Sequence, residues 1–341
     1  MNTSTRQPPP QRQLAMVLDL NKCLGCHTCT IACKKMWNRD SGTDYAYWNN
    51  VESLPGKGYP KHWPEHGGRT AGGEVRRGTL DGLDEGYGRA WSFNHDDVIA
   101  TDGKNNPGWI KPEGDPNWGP NWDEDEGTGA YPEDNHYFYL PRLCNHCTHP
   151  ACLDACPRGA IYKRDEDGIV LVNQDRCHGY RFCVEACPYK KVFFDPLRSV
   201  STKCIFCFPR IEKGVAPACA RQCPGRLRFV GYLDDPEGPI WKLVHKWKVA
   251  LPLHPEFGLE PNVFYVPPMS PPRLDDEGRP TDEPRIPLDY LVSLFGSGTQ
   301  AALETLVSER TRRRSGESSE LMDLLIAYDW HENFRLGVPA A

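Results

Sequence analysis

Asp175-Arg176-Cys177-His178-Gly179-Tyr180-Arg181-Phe182-Cys183-Val184-Glu185-Ala186-Cys187-Pro188 is the stretch on which the reading of this chain turns. Its spacing is C-x2-C-x2-C-x3-C-P, with a tyrosine where the second cysteine belongs. In the full pattern, three thiolates in one short loop suit an iron–sulfur cube, and the fourth, ahead of the proline, serves the neighbouring cube. The run stands between Cys144 and Cys223, a stretch that holds eleven of the fifteen cysteines.

Three further motifs surround it. The first is Cys23-x2-Cys26-x2-Cys29-x3-Cys33, with Lys34 in the usual place of proline. The second is Cys144-x2-Cys147-x4-Cys152-x3-Cys156-Pro157, and the fourth is Cys204-x2-Cys207-x11-Cys219-x3-Cys223-Pro224. The first and third align without gaps, NKCLGCHTCTIACK against DRCHGYRFCVEACP. Gly25 then matches Gly179 and Ala32 matches Ala186, small residues expected to let the backbone approach a cluster. The second and fourth share Pro-Ala-Cys-x3-Cys-Pro from Pro150 and from Pro217. The simplest account is a duplicated bacterial two-cluster ferredoxin, one copy carrying a long insertion and the other lacking one cysteine.

Fifteen is an odd number, and most of these cysteines stand two or three residues apart, too tight for a disulfide framework. They read as metal thiolates assembled where thiols are kept reduced. Three [4Fe–4S] clusters use twelve cysteines, and the remaining three suit a [3Fe–4S] cluster, with Tyr180 at the corner that lacks an iron. The second and third motifs are joined by a hairpin of ferredoxin length. Pairing them under the crossover rule gives Cys144, Cys147, Cys152 and Cys187 to one cube, and Cys156, Cys177 and Cys183 to the three-iron cluster. The first and fourth motifs then pair by elimination: Cys23, Cys26, Cys29 and Cys223 in one cube, Cys33, Cys204, Cys207 and Cys219 in another. Spacing alone also permits the first motif to pair with the second.

Competing readings stand beside this one. Structural zinc is one, although zinc sites pair two C-x2-C knuckles and do not call for a tight triplet plus an outlying C-P. At the vacant corner, a water, hydroxide or Tyr180 phenolate holding a fourth iron is the alternative. His27, His146, His149 and His178 lie in the cysteine loops and are read as non-ligands, since the thiols already close the count. Lys22, Lys34, Lys35, Arg176, Lys190, Lys191 and Lys203 flank the motifs. They are candidate tuners of cluster potential, or else ordinary solvated side chains.

The remainder is loop-rich, with 31 glycines and 32 prolines, so a body of short α and β elements held partly by metal centres is expected. The expected fold class is α+β, with two ferredoxin-like lobes, residues 1–36 with 200–232 and residues 138–199. Residues 37–137 form an insertion and 233–341 a C-terminal extension that contacts partners. Strands are expected over Leu14 to Leu20, in a hairpin over Ala160 to Val172, over Val192 to Phe194, Phe229 to Leu233 and Val263 to Val266. Helices are expected between Cys29 and Lys35 (one or two turns), over Trp241 to Leu251, Ala301 to Arg314 and Ser318 to Trp330. The last carries an apolar stripe of Leu321, Leu324, Leu325 and Tyr328. Arg312, Arg313 and Arg314 read as helix-end solvation. Seven of the ten tryptophans fall between Trp37 and Trp122, in a stretch with no helical or alternating period. That enrichment points to an ordered layer packed on a partner or over the clusters. Asp123 to Glu126 reads as a solvated acidic face.

A net charge of −6 with no basic face argues against nucleic-acid binding. No apolar run approaches the roughly 18–20 residues of a membrane helix. The segment Met1 to Leu14 has neither an apolar core nor a twin arginine. No nucleotide-binding, nucleophile-elbow or H-E-x-x-H motif is present, so nothing here looks built to hold an organic substrate.

At these residues the chain resembles the four-cluster beta subunits of molybdenum enzymes of the dimethyl sulfoxide reductase superfamily. Tyr180 for cysteine is similar to the branch with respiratory nitrate reductase, ethylbenzene dehydrogenase, dimethyl sulfide dehydrogenase, selenate reductase and chlorate reductase. Trp48-Asn49-Asn50-Val51, Pro55 to Pro60, Ala250 to Leu253 and Phe257 to Asn262 look especially like that branch, its shorter members most of all. The resemblance implies that the first motif pairs with the fourth and the second with the third. It implies a catalytic alpha subunit with a molybdenum bis-pterin cofactor, nearest the Cys23, Cys26, Cys29 and Cys223 cluster. A haem b gamma subunit would sit beside the three-iron cluster, and electrons would hop one at a time between the two partners. The chain would then be no catalyst by itself and would not enter the membrane. It would be periplasmic by co-export with a signal-bearing alpha subunit, or else cytoplasmic. A stand-alone polyferredoxin is the functional alternative; the tryptophan-rich insertion argues against it.

Overall fold

β1 (Leu14–Asp19) is the strand around which the described chain is arranged, and all six of its residues are buried. Side chains alternate across a strand. Leu14, Met16 and Leu18 pack on the side of the cysteine motifs, Ala15 and Val17 on the side of the C-terminal helices. This computed structural model describes residues 9–43, 45–65, 67–68, 74–75 and 134–337. Trp91, Trp109, Trp118, Trp122 and the acidic run from Asp123 lie outside them.

After β1, the Asp19 side chain accepts the Asn21 N–H at 3.1 Å and caps a 3-10 turn that delivers the first motif. α1 (Thr28–Trp37) follows, longer than the one or two turns expected. β2 (Asn49–Leu54) and β3 (Phe138–Leu143) form an antiparallel ladder from Asn49↔Leu143 to Leu54↔Phe138. The sequence reading missed both strands. α2 (Ala151–Asp154) precedes the expected hairpin, β4 (Ile161–Lys163) with β5 (Val170–Val172). α3 (Phe182–Ala186) precedes a second hairpin, β6 (Val192–Asp195) with β7 (Val200–Lys203), whose return strand was not anticipated. Then come α4 (Phe208–Ile211), α5 (Ala218–Arg221) and β8 (Arg228–Tyr232).

The helix expected over Trp241 to Leu251 is only α6 (Pro239–Trp241) and a wide turn, Lys242–Lys246. Lys248 takes a left-handed φ of 54° and turns the chain into β9 (Leu251–Pro252). β10 (Val263–Val266), the exposed hairpin β11 (Pro272–Leu274) and β12 (Pro280–Pro284), and α7 (Leu288–Phe295) follow. α8 (Thr299–Arg314) matches its expectation closely. α9 (Glu320–Ile326) is shorter than expected, because Ala327 caps it in the left-handed region. Tyr328 therefore leaves the apolar stripe and is 71% exposed, while Leu321 and Leu325 stay buried.

A four-stranded sheet, β8-β1-β10-β9, divides the described molecule into layers, with β1 antiparallel to β8 and parallel to β10. Ala15, Val17, Phe229 and Val266 meet Leu306, Leu321, Met322 and Leu325 on one face. Each fully buried leucine there contributes about 1.5–3 kcal/mol. The other face looks onto the cysteine loops, which have only short helices and two-stranded ribbons of their own. Among the described residues no helix is long and apolar enough to cross a membrane.

Candidate metal centres

The short helices start from left-handed residues at the loops: His27 before α1, Arg181 before α3, Cys207 before α4. Gly25 and Gly179 take φ of +64° and +67°. A Cβ on Gly25 would stand 2.6 Å from the Tyr139 ring, and one on Gly179 would stand 2.5 Å from the Ser199 carbonyl oxygen. Glycine is thus required by conformation and by packing against protein.

Three cavities are each lined by four thiols. Cys144, Cys147, Cys152 and Cys187 line one, with Val170, Tyr189 and Leu259. Cys33, Cys204, Cys207 and Cys219 line a second, with Met16, Trp37, Trp48 and Asn49. Cys23, Cys26, Cys29 and Cys223 line a third, with Val51, Pro141 and Arg228. Of the other three cysteines, Cys156 and Cys177 both stand near Cys183. Backbone N–H groups of Ala160 and Ser201 donate to Cys156 and Cys177 at 3.3 Å, and Cys183 Sγ lies 3.2 Å from Ser201 Oγ. Tyr180 is 54% exposed, with its ring stacked between His178 and Phe182.

The helices explain how motifs far apart in sequence share cavities. Cys29 and Cys33 are one turn apart on α1, about 5–6 Å along its axis, and serve the third and second cavities. Cys219 on α5 and Cys223 just beyond it serve the second and third. α1 packs on α5, and α2 on α3. Cys152 and Cys187 likewise go to the first cavity, and Cys156 and Cys183 to the three-thiol group. Cys219 lies near Cys29 and Cys223, and Cys204 near Cys144, so the second cavity adjoins both the third and the first.

Residues 135–233 match a family model described as a 4Fe-4S dicluster domain. Over 321 residues the chain is 57% identical to selenate reductase subunit beta of Thauera selenatis, covering 93% of this chain and 97% of that one. It is 56% identical over 328 residues to dimethylsulfide dehydrogenase subunit beta of Rhodovulum sulfidophilum, covering 96% and 99%. With respiratory nitrate reductase 2 beta chain of Escherichia coli it shares 34% over 416 residues, covering 89% and 80%. This chain belongs to the iron–sulfur beta subunits of the dimethyl sulfoxide reductase superfamily.

The walls of the beta subunit's cavities fit an anionic, sulfur-rich guest. Among the described residues no group of three His, Cys, Asp or Glu side chains is placed to hold a single metal ion. The His146 ring accepts the Val170 N–H at Nδ1 (3.0 Å), so its proton is on Nε2, which is buried without a partner in the first cavity's wall. Trp48 Nε1 and Asn49 Nδ2 are unpartnered in the second, and Arg228 Nε in the third. Buried donors without acceptors are rare and costly. Cluster sulfides and thiolates would accept them, as Cys207 Sγ already accepts Trp37 Nε1–H at 3.0 Å.

Burial, in most cases reinforced by neighbouring thiols, raises the pKa values of several deep thiols. Cys23 and Cys219 are pushed up to about 12, Cys183 to about 11, and Cys33, Cys147 and Cys152 well above their ordinary value. Ionising four such thiols in one cavity requires positive charge inside it, which iron supplies. The protein also buries lysines among the motifs. Lys190, Lys191 and Lys203 are fully buried, which rules out the solvated reading for those three. Burial lowers Lys190 to about 8. Lys191 donates to Asn50 Oδ1, and Lys203 to the carbonyls of Val170 and Cys204. Lys35 and Arg176 are exposed, and Lys22 and Lys34 lie between these extremes. Among the histidines, burial pushes His27 down to about 4 and His146 lower than usual, and His149 faces Glu260 at 3.4 Å. Sequence reasoning missed Arg228, Asn49 and the Arg142–Glu52 pair, because it looked for charge only beside cysteines.

Proposed function

We propose that this beta subunit holds three [4Fe–4S] clusters and one [3Fe–4S] cluster and relays electrons between a molybdenum catalytic alpha subunit and a haem b gamma subunit of an anaerobic respiratory reductase or dehydrogenase. The observation that carries the reading is the grouping of fifteen thiols as four, four, four and three, side by side. Cys144, Cys147, Cys152 and Cys187 hold one cube, Cys33, Cys204, Cys207 and Cys219 the next, and Cys23, Cys26, Cys29 and Cys223 the outermost. Cys156, Cys177 and Cys183 hold the three-iron cluster, whose vacant corner Tyr180 marks. Bound clusters of this kind supply one-electron transfer without atom transfer. The chain's part is to hold the thiols, exclude water and offset charge, while substrate chemistry belongs to the alpha subunit.

The same pattern supports two ferredoxin-like lobes, residues 1–36 with 200–232 and residues 138–199. In each, two short helices cross and hand cysteines to two neighbouring groups. Residues 37–137 and 233–341 then embrace partners, and the compartment follows a signal-bearing alpha subunit by co-export to the periplasm. Iron and sulfide analysis with low-temperature electron paramagnetic resonance (EPR) of the native complex tests the reading. We expect a [3Fe–4S] signal when oxidised and [4Fe–4S] signals on reduction. Little iron and sulfide sinks the relay, and no three-iron signal sinks the vacant corner. A lone brown monomer on size exclusion would favour a diffusing carrier.

A further inference from the structure

Arg228 opens β8, is 1% exposed, and stands in the wall between two thiol groups. It lines the cavity of Cys23, Cys26, Cys29 and Cys223. Its Nη2 donates to Asn49 Oδ1 at 2.9 Å and its Nη1 faces Met16 Sδ at 3.7 Å. Asn49 and Met16 both line the adjoining cavity of Cys33, Cys204, Cys207 and Cys219. Among the described residues its Nε has no partner.

A guanidinium stays protonated in proteins. An isolated charge so deeply buried is strongly unfavourable unless an anion offsets it. Arg142, the other fully buried arginine among the described residues, meets that need with Glu52, at 2.6 Å. Arg228 forms no ion pair with a carboxylate among the described residues. The ionisable groups that act on it most are the thiols Cys29, Cys219, Cys223 and Cys23, which come from both groups. The two thiol-lined cavities beside it are where such an anion can reside.

We propose that Arg228 is the shared counter-cation of the two clusters bound by the first and fourth motifs, a positioning residue that raises the reduction potentials of both at once. The proposal rests on the ligand sets given above. Each reduction adds negative charge to a cavity in which water is scarce, where a fixed cation acts strongly. Asn49 clamps one end of the fork, so the charge is held between the two groups and cannot swing out to solvent.

EPR-monitored redox titration of the native complex tests this with wild type, Arg228→Met and Arg228→Lys. In Arg228→Met, at the wild-type midpoint, the reduced-to-oxidised ratio should fall about tenfold or more for two of the three [4Fe–4S] waves, or about 59 mV for each tenfold change. The third [4Fe–4S] wave and the [3Fe–4S] wave should stay in place. Arg228→Lys keeps the charge and should keep all midpoints near wild type. Unmoved midpoints in Arg228→Met, equal movement of all four, or equal shifts in the Met and Lys variants would overturn the proposal. If Arg228→Met loses the two clusters, Arg228→Lys decides: retention at wild-type midpoints supports the charge role, and loss refutes it. Absence of [4Fe–4S] signals in the wild type is a separate failure, of the cluster reading beneath.

Discussion

The inner and outer thiol groups are built from the same spacing yet differ in their access to water. All eight cysteines of the two inner cavities are buried: Cys33, Cys204, Cys207, Cys219, Cys144, Cys147, Cys152 and Cys187. At one end of the row Cys26 is exposed and Cys23 and Cys223 are half-buried; at the other, Cys156 and Cys177 are half-buried and Tyr180 is open. Much of the difference comes from the β2–β3 ribbon. On one of its faces the pair Asn49↔Leu143 covers the middle cavity and Val51↔Pro141 the outer one. On the other, Arg142 and Glu52 pair beneath Tyr189, and Asn50 takes Lys191. Motif spacing therefore groups the thiols, while distant residues set the insulation. A relay needs both a dry interior and reachable ends.

The largest effect should come from an inner ligand. Cys204→Ala should bring electron flow through the complex to background, measured as turnover with electrons supplied at the haem b side. Cys26→Ala should leave measurable turnover, because water can complete an exposed corner. Equal losses would break the contrast between interior and end.

Removing the support beneath the interior comes next. Glu52 is fully buried; burial alone would raise its carboxyl pKa, but Arg142 outweighs that and holds it below the usual range. Glu52→Gln leaves a buried arginine without its partner and should destabilise the chain by about 3–5 kcal/mol. Glu256→Gln, at the partly exposed pair with His254, should cost no more than about 1 kcal/mol. Chemical denaturation of the two variants side by side measures the gap, and similar values would show that the ribbon carries no special burden.

How far the sequence could foresee this depends on the kind of signal. Cysteine spacing is local, so the four motifs, the α1 segment and the hairpin of β4 and β5 were legible. β2 was not. Its residues Asn49, Asn50 and Glu52 are polar yet buried, because Arg228, Lys191 and Arg142 reach them from far along the chain. Hydrophobic alternation cannot reveal a strand buried through polar partners. Arg228 was invisible for the same reason: nothing near it in sequence distinguishes it from an ordinary strand arginine. Tyr328 was misplaced by a single left-handed residue, Ala327, which carries no glycine to announce it.

Exposure also predicts the order of oxidative damage. Ferricyanide added in small steps should remove the two outer clusters first, seen as early loss of their EPR signals with the inner signals intact. Simultaneous loss would contradict the burial difference. At the half-exposed three-thiol end, Tyr180→Cys should let the three-iron cluster become a cube and lower its potential. An unchanged spectrum would count against placing the vacancy there.

The finest contrast concerns single hydrogen bonds to sulfur. Trp37 donates Nε1–H to Cys207 Sγ at 3.0 Å at the buried middle cavity. At the open end, Thr28 Oγ1 lies 3.4 Å from the exposed Cys26 Sγ. A donor to a thiolate favours the more reduced, more negative cluster, so its loss lowers the potential. Trp37→Phe keeps an aromatic ring against the cavity and removes the donor. It should lower the middle cluster's potential by about 1 kcal/mol, or about 40 mV for one electron. Thr28→Val should move the outer cluster much less, because water can replace the hydroxyl at an exposed sulfur. Redox titration of both variants compares them directly. If Thr28→Val shifts its cluster as far as Trp37→Phe does, then water does not reach the thiols around Cys26, and that end is as sealed as the centre.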